Sequence, residues 1–177
     1  MKKILSILLC AAMLVCFSGC SQGVPKNMTS AANENDAFNF YVPKSWGINT
    51  SGGTASAFYS ANDRSNVSMT GMLEDEGLTT LEEYCVHAFE SYREILPQFD
   101  GLYALPGEAD NKGVTLGGEP AAFLTYTAVL DGVNYKYMQL VCKHSGLFYI
   151  FTYTSTVEAY DSHQADLDLM LQYISFK

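Results

Sequence analysis

Apolar positions recur with two different periods along this chain, and each change of period marks a new element. FNFYVP at 38–43 places Phe38, Phe40 and Val42 on one side, the alternation of a half-buried strand, and Pro43 ends it ahead of Trp46. SAFYS at 56–60 and NVSMTGML at 66–73 read as two more strands around the turn-rich ANDR. The period then changes to that of a helix. Thr79 and Glu82 have capping-box spacing, Leu81, Tyr84, Cys85, Ala88, Phe89, Tyr92 and Leu96 form one stripe, and Pro97 stops the run. Residues 98–114, with Gly101, Pro106, Gly107 and Gly113, read as a loop holding a short strand near Leu102 and Tyr103. AAFLTYTAVL at 121–130, NYKYMQLVC at 134–142 and LFYIFTYTS at 147–155 form a meander through Asp131-Gly132 and His144-Ser145-Gly146. Both parities of these strands carry apolar residues, so both faces are expected to be covered. Ser155 and Glu158 repeat the capping-box spacing and predict a helix to about Tyr173, with Leu167, Met170, Leu171 and Ile174 buried. The order of elements predicts an α+β fold, one antiparallel sheet of about six strands flanked by helices.

The N-terminus follows neither period. Met1-Lys2-Lys3 precedes Ile4–Phe17, a run without charge. At 1.5 Å per residue this run spans roughly 21 Å, short of a ~30 Å hydrocarbon core, so it reads as a signal peptide rather than a membrane span. Ser18 and Gly19 stand just before Cys20, which resembles the lipobox of bacterial lipoproteins, with Phe17 where that pattern usually has Leu. The resemblance implies cleavage after residue 19 and a diacylglyceryl thioether on Cys20. Two or more acyl chains anchor a protein stably where one holds it marginally. Residues 20–37, nearly devoid of large apolar side chains, read as the lipidated Cys20 and a flexible tether reaching roughly 20–25 Å. The folded domain is placed at 38–177, and a chain starting at Ala37 is expected to fold.

Four stretches carry a further resemblance: FNFYVPKSW, TTLEEYCVHAFESY, LGGEPAAFLTYT and GLFYIFTYTSTVEAYD. Together they resemble the PsbP-like family, with its DcrB-type bacterial lipoproteins and a Ran-binding nuclear-import factor fold. The strongest motifs are the strand-Pro-x-x-Trp opening, Gly118-x-Pro120-Ala121, and Tyr149-x-x-Thr152-Tyr153. The resemblance implies an α/β/α sandwich and a non-catalytic role in binding proteins or assisting assembly. It transfers no partner, because fold does not carry function.

Charge narrows the partners. Without Lys2 and Lys3, eight basic side chains face 19 acidic ones, a net charge of −11. Such a body repels phosphate backbones, which argues against nucleic acid. Cys85 and Cys142, the cysteines beyond Cys20, are either a disulfide or two buried thiols. No Gly-x-Ser-x-Gly elbow, Ser-x-x-Lys pair or phosphate-binding loop is present, and His87, His144 and His163 lie in unrelated settings. Glu83, His87, Glu90 and Glu94 share a helix face, and Glu74-Asp75-Glu76-Gly77 is acidic, yet both read better as solvated surface than as metal sites. No catalytic residue, metal or cofactor is assigned. The aromatic excess, with Tyr126, Tyr135, Tyr137, Tyr149 and Tyr153 in the meander, is either core or a partner surface. The expectation is a lipid-anchored protein on the extracytoplasmic face of a bacterial membrane, a non-enzymatic module that binds a protein partner. A solute- or ion-binding lipoprotein and a cell-envelope hydrolase are the alternatives.

Overall fold

Two sharp turns set the architecture. Asp131 and Gly132, and again Ser145 and Gly146, all have positive φ, the paired left-handed conformation that folds one strand tightly onto the next. They join β9 (Glu119–Leu130), β10 (Val133–His144) and β11 (Leu147–Thr156) into a continuous meander. The computed structural model describes residues 23–49, 54–74 and 78–177. Cys20, its leader and Asp75-Glu76-Gly77 of the acidic run lie outside the described residues. The other elements are β1 (Met28–Ser30), β2 (Phe38–Asn39), β3 (Tyr41–Pro43), β4 (Gly47–Asn49), β5 (Ala55–Phe58), β6 (Asn66–Leu73), α1 (Leu81–Ile95), β7 (Asp100–Ala104), β8 (Thr115–Leu116), α2 (Gln164–Gln172) and β12 (Ser175–Phe176).

The main sheet is antiparallel in the order β4-β5-β6-β11-β10-β9-β7, with β8 also paired to β9. It therefore has eight strands rather than about six. β7 is the short strand expected near Leu102 and Tyr103, whereas β4 and β8 are additions from turn- and loop-like segments whose backbone groups pair with a longer neighbour instead of with water. The strand expected at 38–43 divides into β2 and β3, which do not join this sheet. Two small pairs, β1 with β3 and β2 with β12, lie off this sheet. One face of the sheet packs against α1 through Cys85, Phe89, Leu124, Val141, Phe148 and Ile150. The other packs the larger core, including Phe40, Val42, Trp46, Phe151, Tyr153 and Met170, beneath the N-terminal strands and α2.

Three local expectations give way. The stretch read as a tether is in part folded, because Met28 is 2% exposed and β1 pairs with β3 along Met28–Ser30. The helix cap sits one residue later than the sequence spacing suggests. Thr80 accepts from the Glu83 N–H, while the Glu83 carboxylate accepts from the N–H groups of Thr79 and Thr80. These bonds, with the Thr79 hydroxyl, hold the Glu83 carboxyl down at about 2. Ser155 caps no helix: β11 runs on through Thr156, and a short 3-10 turn at Tyr160–His163 delays α2 to Gln164. The last helix is thus about half as long as the Ser155–Glu158 spacing suggested.

Candidate functional site: an open sheet face beside α1

Helix α1 is 15 residues, so it is about 22 Å long, and it lies over β9, β10 and the first half of β11. The strands beyond it present the same face without a covering element among the described residues. Register fixes what stands there. Phe58, Asn66, Thr154 and Tyr137 are successive cross-strand partners on β5, β6, β11 and β10. Ser56, Ser68, Thr152 and Gln139 form the next row on the same face. Gln139 ties this row to the helix, since its Oε1 accepts from the Tyr92 hydroxyl and its Nε2 donates to Thr152 Oγ1.

The two rows are lined by hydroxyls, amides and rings, and neither holds a carboxylate or a lysine. At their edge the Arg64 guanidinium donates to the Tyr135 hydroxyl at 3.0 Å. Phe58 is 46% exposed, its ring lying over Gly47, where any side chain would strike it: a Cβ there would come within 2.6 Å. Glycine at 47 therefore lets an aromatic ring lie flat at the margin of the face. The meander's expected apolar cover on both faces holds for its β9 half only. In β11 the residues facing this way past Ile150 are Thr152, Thr154 and Thr156.

The tyrosines divide between the two faces. Tyr149 and Tyr153 are buried in the core on the far side, where the Tyr153 hydroxyl donates to the Tyr160 carbonyl. Tyr126 is buried beside α1 and stacks on Tyr137 at 4.5 Å between centroids. Burial, then the neighbouring Tyr92, pushes the Tyr126 phenol far above its ordinary range. Only Tyr135 and Tyr137 of the five are half-exposed, so the aromatic surface is smaller than the sequence cluster implied. Cys85 and Cys142 are free, buried thiols that belong to the two cores on opposite faces of the sheet, which removes the disulfide alternative. Burial pushes both thiols up to about 12.

A polar network lies at the end of the other face, and sequence reading missed it. His163 Nε2 lies 2.8 Å from Asp63 Oδ2, and Ser65 Oγ donates to Asp63 Oδ1 at 2.6 Å. Since the Ser65 proton is committed to Asp63, the 2.8 Å contact between Ser65 and Ser155 is donated by Ser155. The network fastens the β5–β6 turn to the start of α2, with Trp46 and Tyr59 against the His163 ring. In this order the carboxylate separates imidazole from hydroxyl, so no serine is placed to pass its proton to His163. Burial raises the Asp63 carboxyl, but hydrogen bonds from Ser65 and His163 outweigh it and leave a net lowering. A carboxylate whose folded pKa is depressed stabilises the fold above its unfolded pKa, near 3.8. That contribution is lost as pH falls below this value toward the folded pKa. Asp63→Asn is expected to flatten the acid limb of stability measured by urea unfolding between pH 5 and 2; an unchanged limb would show that Asp63 is not its source.

The remaining candidates do not converge. His87 is exposed, Glu83 is bound to the Thr79–Thr80 cap, and no group of three or more metal-ligating side chains assembles among the described residues. Glu74 pairs with Lys143 at 2.6 Å. His144 stacks on Phe176 and contacts Glu119. A cleft of about 390 Å³ opens between Asn62, Asp63, Arg64, Val133, Thr156 and Ala159, but the charged groups of Asp63 and Arg64 are already engaged as described. No helix among the described residues is long and apolar enough to cross a membrane.

The fold is PsbP-like. It is similar to cyanobacterial PsbP (CyanoP) from Synechocystis at a TM-score of 0.55 and 13% identity, over 89% of this chain and 97% of that one. LpqN of Mycobacterium tuberculosis, involved in cell envelope biogenesis, is similar at 0.55 and 15% identity, over 85% and 90% of the two chains. The Ran-binding protein Mog1p of Saccharomyces cerevisiae is similar at 0.56 and 7% identity, over 85% and 95%. These likenesses establish architecture alone. No protein-family model and no curated protein matches the sequence.

Proposed function

We infer that this protein is a non-enzymatic binding or accessory module, held on the extracytoplasmic face of a bacterial membrane through lipid on Cys20. The observation that carries the reading is the open face, where neutral polar side chains and half-exposed rings stand together beside α1 with no covering element among the described residues. The composition supports it, since contact surfaces are depleted in Asp, Glu and Lys and enriched in aromatics and Arg. The Asp63-centred network supports a structural rather than hydrolytic role, because its histidine meets a carboxylate where a nucleophile's base would meet a hydroxyl. The committed charges around the Asp63 cleft weigh against a small-solute site, which needs converging polar groups free to bind.

Anchoring and contact are separable. Cys20→Ala is expected to move the protein from the membrane fraction to the soluble fraction, and retention of that variant would remove the lipid anchor. A photocrosslinking residue in place of Thr154, on the open face, is expected to give adducts in cells. The same residue in place of Leu102, exposed on β7, is expected to give none. Equal labelling from both positions would remove the open face as the contact surface.

A further inference from the structure

The open face also says what chemistry it takes. Four strands, β5, β6, β11 and β10, at about 4.8 Å spacing give a width near 14 Å, and five residues along a strand give about 17 Å. The patch is therefore about 240 Å², well under the roughly 800 Å² that each partner of a stable protein complex buries. Its size suits one segment of an extended chain better than a folded partner.

Its groups are arranged for a ligand that both donates and accepts. The hydroxyls of Ser68 and Thr154 have no partner among the described residues. Thr152 Oγ1 accepts from Gln139 and keeps its own proton to donate. Asn66 donates one amide hydrogen to the Arg64 carbonyl, leaving its Oδ1 and second hydrogen outward. Across the two rows, donors and acceptors therefore alternate within a few ångströms. At the two ends stand rings: Phe58 over Gly47, and Tyr137 with Tyr135. The negative face of an aromatic ring attracts weakly positive C–H groups, so these rings accept apolar ring faces.

Charge decides between ligand classes. A polyanion would meet Arg64 alone at this face, on a body whose net charge without the leader is −11. A polycation would find no carboxylate in either row. A neutral polyhydroxylated chain satisfies both conditions, and its alternating hydroxyls and C–H faces match the alternation on the protein.

We propose that the open face binds neutral glycan chains, with Asn66, Ser68, Thr152 and Thr154 taking the sugar hydroxyls and Phe58, Tyr135 and Tyr137 the apolar sugar faces. The proposal rests on the reading of this protein as a contact module and names what that module holds. It is tested on the full-length lipidated protein, in a detergent without a sugar headgroup, by electrophoresis through native gels containing hydroxyethylcellulose, glucomannan, dextran or alginate. At least one of the three neutral polymers is expected to retard the protein. Thr154→Val and Tyr135→Ala are each expected to weaken that retardation about tenfold, as for loss of one good contact. Leu102→Ser on β7 should leave it unchanged, and all three variants should keep the parent melting temperature, as surface changes do.

Retardation by none of the neutral polymers, by alginate alone, or undiminished in the Thr154 and Tyr135 variants would overturn the proposal. Analysis of the Thr154 crosslink separates its failure from that of the contact module. An adduct that survives protease and is shortened by glycosidases supports the glycan. A protein adduct overturns it while leaving the module intact, and the absence of any adduct from Thr154 removes both.

Discussion

A chain that begins at Ala37 is expected to be less stable than one that begins at Gly23 by about 3–5 kcal/mol, although its sequence reads as dispensable up to that residue. Met28 is 2% exposed and Ala31 is 6% exposed, and both belong to the large core. Burying a methionine side chain stabilises by about 1.5–3 kcal/mol. The truncation also strips β1 from β3, the bond from Ala31 N–H to the Phe40 carbonyl, and the bond from Lys44 N–H to the Asn27 carbonyl. Each such bond is worth about 0.5–1.5 kcal/mol net. Phe40 and Val42, both fully buried, would gain exposure where the strand is lifted off. Set against a total stability of about 5–15 kcal/mol, the loss is large enough to bring the chain near its unfolding threshold. With a slope of about 1–3 kcal/mol per molar urea, the midpoint should fall by roughly 2 M. Met28→Ala in the longer chain should reproduce part of the same loss, about 2–3 kcal/mol. Coincident midpoints for the two lengths would show β1 to be an incidental contact.

The same strand shows where sequence patterning runs out. Three residues, Met28-Thr29-Ser30, hold one apolar side chain, too few to display a period of two. Their burial depends on β3, whose Tyr41–Pro43 segment arrives from the other side of a turn. By contrast, Asp131-Gly132 and the α1 stripe announce themselves locally, because a left-handed turn and an amphipathic face are properties of neighbouring residues. Ser155 and Glu158 mislead for a related reason. Their spacing fits a helix start, but the Ser155 hydroxyl bonds Ser65 across two paired strands, and the pairing of β11 with β6 decides the matter. Half of the open face lay in the sequence pattern, although the apolar residues on both parities of the meander argued for cover on both faces. Asn66, Ser68 and Thr70, and again Thr152, Thr154 and Thr156, alternate as polar positions of solvent-facing strands. That the two series meet as partners, Asn66 with Thr154 and Ser68 with Thr152, follows from register between distant segments, which no local pattern carries.

Asn111 makes the same point with a measurable consequence. It lies in the stretch read as a loop, yet it is 2% exposed and all but one of its side-chain bonding hydrogens and lone pairs point at backbone. Its Nδ2 donates to the carbonyls of Ala104 at 3.1 Å and Ala121 at 2.8 Å, and its Oδ1 accepts from the Val114 N–H at 3.1 Å. One amide thereby closes the path from the end of β7 to the start of β9, satisfying three backbone groups that the turning chain cannot pair among themselves. Asn111→Leu fills similar volume and offers none of these bonds. A buried carbonyl or N–H left without a partner costs about 1–3 kcal/mol. The variant should therefore lose about 3–5 kcal/mol in urea unfolding, allowing for some relaxation toward water. Asn111→Asp keeps the size but replaces the two donated hydrogens with a second acceptor, facing two carbonyls. At pH 7 it should be destabilised at least as much as the leucine variant, because the charge is buried without a partner. If the aspartate variant instead matched the parent, the loop would have to hold its shape without that amide. The tie between β7 and β9 would then rest on the strand ladder from Asp100 to Ala104 alone.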